Sequence, residues 1–292
     1  MKNVMRKIGR IIVAFLPVAA CLLLQIGVSI AAGIVITLAA MLNPSSGAVG
    51  AEDINQLASQ LLLENIMSIQ IASQIAMLIV FGCWYYFAYG RKKRPETAEK
   101  PDALHVALLL PMGLLLQFGI SSVLSLIEAV APQVMEGYNE LMELAGLGEM
   151  SPLAMIAVSI MAPLSEEVLC RGVILRLAER VSPRFWVANF IQALAFGILH
   201  GNLVQGSYAF LLGLLLGYLY GKYRNIWLCM LLHGAMNLSS YLVNPFYMLF
   251  PESALLPVFL VVLAASIVLF VLCLRPYLTK KQGQESKTSL TL

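Results

Sequence analysis

The chain alternates long apolar runs with short polar stretches, and the runs predict its architecture. About 20 consecutive apolar residues in a helix cross the hydrocarbon core of a bilayer. Runs of this kind fall near residues 12–42, 66–89, 104–127, 152–178, 185–203, 206–221, 226–247 and 254–274. The expectation is an all-α polytopic membrane protein with about eight transmembrane helices, the fifth and sixth being the shortest and parted only by Gly201 to Gly206. Between the third and fourth runs, Val134, Tyr138, Leu141, Met142 and Ala145 recur at helical spacing with acidic residues between them. This predicts an amphipathic helix over 134–147 lying on the membrane surface, read as a connector, with a lid over a lateral entrance as the alternative. Residues 1–292 read as a single integral membrane domain, with a polar linker at Pro95 to Asp102 and a flexible cytoplasmic tail at 279–292.

Composition agrees with the pattern: 60% of residues are hydrophobic and 12% charged, with mean hydropathy +0.82, outside the range of soluble globular domains. The distribution of charge adds orientation. With eight spans, the Lys and Arg residues outside them fall on one side: Lys2, Arg6, Lys7 and Arg10; Arg91, Lys92, Lys93, Arg94 and Lys100; Arg180 and Arg184; Lys222 and Arg224; Arg275, Lys280, Lys281 and Lys287. The opposite loops carry only acids: Glu52, Asp53, Glu136, Glu140, Glu143, Glu149 and Glu252. The positive-inside rule then puts both termini in the cytoplasm of a bacterial plasma membrane. Because the basic clusters flank spans and lack interleaved aromatics, they read as topology determinants and nucleic acid is excluded as a partner. The N-terminal run is about twice the 7–15 residues of a signal-peptide core, so an uncleaved span is expected despite the small residues Ala48 to Ala51. Cys21, Cys83, Cys170, Cys229 and Cys273 form no CxxC pair and read as apolar packing residues.

Against this background a few polar residues stand out. Glu166 and Glu167 lie side by side within an apolar run, with Arg171 one turn on. Ionisable groups inside a membrane are costly and usually mark a site. Glu167 and Arg171, at i and i+4, share a face and can pair, while Glu166 is turned about 100° away and is left to face a cavity. Phe196 precedes His200 by one turn, and His233 precedes Asn237 by one turn. Counted from the basic side at 1.5 Å per residue, Glu166 and His200 lie about 21 and 22 Å deep, His233 and Asn237 about 10 and 16 Å. The first two match; the second pair needs tilt or a boundary shift of a turn. A glutamate and a histidine sharing a water form a general-base pair, and His and Asn can donate hydrogen bonds to a developing oxyanion. The same Glu166, His200 and His233 are also a possible zinc ligand set, although no HExxH spacing is present.

The sequence resembles the membrane proteases that include the type II CAAX prenyl endopeptidase and bacteriocin-processing or immunity proteins, the CPBP or Abi family. The resemblance rests on Glu166-Glu167-Val168-Leu169-Cys170-Arg171 as EExxxR, Phe196 to His200 as FxxxH and His233 to Asn237 as HxxxN, and covers about residues 150–245 as a catalytic core. It implies that Glu166 with His200 activates water, that His233 and Asn237 stabilise the oxyanion, and that Glu167, Arg171 and Phe196 support the site. A metal-independent glutamate mechanism is favoured over zinc, so no cofactor is expected. The implied activity is that of an intramembrane endopeptidase acting on a short or membrane-anchored peptide. The alternatives are a non-catalytic immunity or scaffold protein of the same fold and, further off, a proton-coupled transporter.

The remaining polar residues carry plainer readings. His105 has no evident polar partner one turn away and is taken as an interhelical hydrogen bonder. Ser165 and Cys170 lack the base and orienter a nucleophile needs. Gly213 and Gly217 suggest close helix packing. Spans one to three and eight, nearly all aliphatic, read as scaffold.

Overall fold

The computed structural model describes residues 2–42, 51–91, 98–146 and 151–278, and among these there is no strand. The small residues at 48–50, the basic run at 92–94, Glu149 and the tail at 279–292 lie outside the described residues. The first three membrane helices are α1 (Lys2–Leu42), α3 (Ile66–Tyr85, continued by a π turn over Tyr86–Gly90) and α4 (Ala103–Val130). Between α1 and α3 lies α2 (Ala51–Glu64). The amphipathic segment is α5 (Pro132–Leu144), which begins two residues before the predicted start because Pro132, lacking an N–H, is suited to the first turn of a helix.

The fourth span, Pro152–Ala178, is not a uniform helix. It runs as α6 (Pro152–Ile156), a π turn (Ala157–Met161), α7 (Ala162–Glu167), a second π turn (Val168–Ile174) and α8 (Leu175–Ala178). Pro163 explains the first wide turn, since it cannot donate to the ladder and its ring crowds the carbonyl of Ser159. Then follow α9 (Phe185–Leu199), α10 (Leu203–Tyr223), α11 (Ile226–Tyr247) and α12 (Leu255–Leu278).

Seven helices are long and apolar enough to cross a membrane, and α9 is a shorter apolar one. The chain is thus a multi-pass membrane protein, with the eighth expected span present but short. Its 15 residues rise about 22 Å, less than the roughly 30 Å of a hydrocarbon core. The helix ends because His200 caps it and Gly201 follows with φ +70°, a left-handed conformation that glycine adopts without a Cβ clash.

The fourth span is the hub, with more than half of its residues buried, against only Ser266 and Tyr277 in the span that contains α12. Leu169, Cys170, Val173, Ile174 and Leu175 are wholly enclosed. Around the hub, α4 packs along α11 and α12, and α9 along α10. Small residues permit these approaches. A Cβ on Gly213 would come within 3.0 Å of the Ala193 backbone, and one on Gly217 within 1.8 Å of Asn189 Oδ1, which accounts for both glycines as packing residues. Four cysteines are buried or half-buried and Cys83 is exposed; all are free thiols.

Candidate active site

The two π turns of the fourth span flank α7, the turn that carries Glu166 and Glu167. The adjacent carboxylates have different surroundings. Glu167 is wholly buried, and its Oε1 accepts from Arg171 Nη1 at 2.8 Å and from His233 Nδ1 at 2.9 Å. Glu166 keeps a quarter of its side chain exposed, and its Oε2 lies 3.9 Å from His233 Nε2. The predicted i, i+4 pairing of Glu167 with Arg171 therefore holds, and Glu167 additionally orients His233.

Arg171 is fully buried, with both terminal nitrogens bonded and its Nε without a partner among the described residues. Its guanidinium donates to Glu167 and, at 3.3 Å, to the Gly213 carbonyl, and it lies 4.9 Å from the centre of the Phe196 ring. Phe196 then meets both histidines edge-on, with ring centres 4.9 Å from His200 and 5.7 Å from His233. One aromatic ring thus packs against the cation and both imidazoles. Gln192 adds a second donor to the Gly213 carbonyl at 2.8 Å and also donates to Asn189.

His200 Nδ1 lies 2.9 Å from the Phe196 carbonyl. A carbonyl only accepts, so this nitrogen carries the proton and Nε2 of the neutral ring is an acceptor. By the same reasoning the Glu167 carboxylate assigns the His233 proton to Nδ1. Asn237 donates one amide hydrogen to the Val158 carbonyl at 2.8 Å, at the π turn where the regular ladder is interrupted. No second bond from this amide nitrogen is found among the described residues.

Glu166, Phe196, His200, His233 and Asn237 line one cavity of about 610 Å³. The depth mismatch predicted for the His233–Asn237 pair is closed, since His233 sits directly beside Glu166 and Glu167. The scaffold reading of spans two and three needs correction: Gln70 and Gln74 of α3 and Gln117 of α4 also line the cavity. Gln70 and Gln74 are spaced i, i+4 in an apolar run, the same signal that marked the other pairs. Nor is α5 a mere connector, because Tyr138 and Met142 line the cavity and Tyr138 Oη lies 3.4 Å from Tyr208 Oη. Ser165 is buried and donates to the Ala162 carbonyl, and Cys170 is buried, so neither stands as a nucleophile. His105 does have a polar partner one turn away: Asp102, the N-cap of α4, at 2.6 Å.

A zinc site built from Glu166, His200 and His233 would need the three donors around one point. Among the described residues no group of three or more His, Cys, Asp and Glu side chains is arranged to hold a metal ion.

No solved structure matches the chain. Over 87 residues it is 32% identical to "Putative membrane peptidase YdiL" of Bacillus subtilis (strain 168), a match covering 30% of this chain and 35% of that protein. The chain thus spans about a third of the length of this curated relative. Residues 148–239, which hold all three motifs, match the model of the family described as Type II CAAX prenyl endopeptidase Rce1-like.

Proposed function

We propose that the protein is an intramembrane endopeptidase that hydrolyses a peptide bond in a short or membrane-anchored substrate, with Glu166 as general base. The observation carrying this reading is the contrast between adjacent carboxylates: Glu167 is wholly buried with Oε1 bonded to both Arg171 and His233, whereas Glu166 opens into a cavity shared with His200, His233 and Asn237. A water between Glu166 and His200 Nε2 can donate to both. Glu166 takes one proton as the water oxygen bonds to the carbonyl carbon. The oxyanion then receives hydrogen bonds from the second N–H of Asn237 and from His233 Nε2. As Nδ1 of His233 is committed to Glu167, that second donor requires a doubly protonated ring. On collapse the C–N bond breaks, and the proton held by Glu166 passes to the departing amine.

The mechanism uses no metal. Full activity after chelation, with no stoichiometric metal by elemental analysis, is expected; one zinc lost together with activity and restored with it would recast Glu166, His200 and His233 as ligands. Residues 150–245 would be the catalytic core of one membrane domain, with both termini cytoplasmic. The test in cells compares the membrane peptidomes of strains carrying the intact protein and Glu166→Gln. A peptide that accumulates uncut only in the variant identifies the substrate. A variant lacking peptidase activity that still complements the cellular function would favour the non-catalytic immunity or scaffold role.

A further inference from the structure

The cavity reaches from the middle of the bundle toward the side away from the basic face. Three of the spans line it with neutral polar residues from their parts away from the basic face, Gln70 near the start of α3, Gln205 at the start of α10 and Asn244 near the end of α11, while Gln117 sits at the middle of α4. The far ends of these helices lead to Arg91, Lys222 and Asn225 beside Arg224. Crossing the bundle on the cavity side, α5 contributes Tyr138.

The chemistry of the cavity is equally one-sided. Among the described residues the cavity's lining contains no Lys or Arg, and Glu166 is its one carboxylate; the rest is amide, hydroxyl, imidazole and apolar. The segments on the same side, residues 43–65, 129–151, 200–206 and 244–254, contain no Lys or Arg either. Exposed Glu136, Glu140 and Glu143 on α5 add negative charge near the mouth. A substrate carboxylate in the cavity would face Glu166 with no Lys or Arg in the lining to offset it, in surroundings of low dielectric constant where like charges repel strongly. An uncharged peptide backbone meets the opposite situation, since amide side chains offer both donors and acceptors.

We propose that the site takes its substrate from the membrane face opposite the basic residues, the outer face by the positive-inside rule, as an uncharged or cationic peptide segment engaged internally, away from any free carboxyl terminus. Only the cutting of that segment rests on the hydrolytic reading of the same cavity.

The test places a thiol at the rim, Met248→Cys, where the native side chain is 82% exposed and lines the cavity. It is made in a Cys83→Ser background, with Tyr241→Cys as a second cavity position and Arg184→Cys as the basic-face control. A membrane-impermeant maleimide should label the cavity thiols in intact cells and the control only in inverted vesicles. Labelling of the cavity thiols only in inverted vesicles would overturn the orientation. A pool of apolar pentapeptides as C-terminal amides should protect the Met248→Cys thiol, and the same pool as free acids should need on the order of tenfold more. Equal protection by both pools would overturn the substrate class. Preferential protection by the amides without any cleavage would uphold this inference while removing the hydrolytic reading.

Discussion

Two histidine-centred regions occupy different parts of the bundle, and they differ in how fully their hydrogen-bonding capacity is used. Near the basic face, His105 Nδ1 lies 2.6 Å from Asp102 Oδ1 and Nε2 lies 3.2 Å from the Pro276 carbonyl. Its own carbonyl accepts from Tyr277 Oη, and its ring meets Tyr223 and Tyr277 edge-on. Both ring nitrogens are engaged within the protein. In the other region, His200 and His233 each have Nδ1 fixed by a partner, the Phe196 carbonyl or Glu167, while Nε2 faces a cavity that also holds Glu166. Saturated polar groups hold helices together; groups oriented on one side and open on the other are prepared for a ligand. Polarity in a membrane segment therefore does not by itself separate glue from chemistry, but the count of unmet bonds does.

The sharpest way to break this contrast is Glu166→Gln, which keeps shape and hydrogen-bonding capacity but removes proton acceptance. Turnover by equal amounts of folded protein in detergent should fall by about 10²–10⁴-fold, the range for loss of a general base. Yield and thermal midpoint should stay near those of the wild type, because Glu166 is partly exposed and pairs with nothing closer than 3.9 Å. A normal rate would end the catalytic reading of the cavity.

Arg171→Met tests the supporting layer that makes the contrast possible. Removing the guanidinium strands the buried carboxylate of Glu167, and breaking such a pair costs about 3–5 kcal/mol. The loss should appear first as reduced folded yield and a lower melting temperature in detergent. Undiminished stability would mean that Glu167 is held by His233 alone.

Asn237→Ala probes the oxyanion side with a smaller expected effect, about 10²–10³-fold in turnover, the scale of one lost donor, with substrate binding largely kept. Loss of stability is also expected to be modest, since among the described residues the side-chain bond removed is the one to the Val158 carbonyl. A defect in binding with unchanged turnover would assign Asn237 to positioning the substrate backbone.

The elements that were legible in the sequence are those whose signal is local. Apolar run length gave the spans, and i, i+4 spacing gave the Glu167–Arg171 pair and the shared faces of Phe196 with His200 and His233 with Asn237. What the sequence could not supply depends on tertiary placement. The coupling of Glu167 to His233 crosses 66 positions, and the docking of Asn237 on Val158 crosses 79. The π turns of the fourth span leave no mark in hydropathy beyond Pro163. Gln70 and Gln74 were readable by spacing but have no charge to attract notice, and Asp102 beside His105 is hidden by lying at the cap, outside the apolar run.

The smallest effect, and the one that most directly measures the difference between the two regions, is expected from His105→Ala. The substitution removes the ring's bonds to Asp102 and Pro276 and its contacts with Tyr223 and Tyr277, loosening the joint between α4 and α12. Interhelical polar bonds in membrane proteins contribute about 0.6 kcal/mol on average and up to about 1.7, so a fall in melting temperature of a few degrees is the expected result. Cleavage per folded molecule should be unchanged, because His105 does not line the cavity. His200→Ala in the same assay should do the reverse, leaving stability nearly intact while lowering turnover, since the protein bond it loses is a single one to the Phe196 carbonyl. If the two variants instead lost stability and activity together and in proportion, the division between a saturated and an open histidine would carry no functional meaning in this fold.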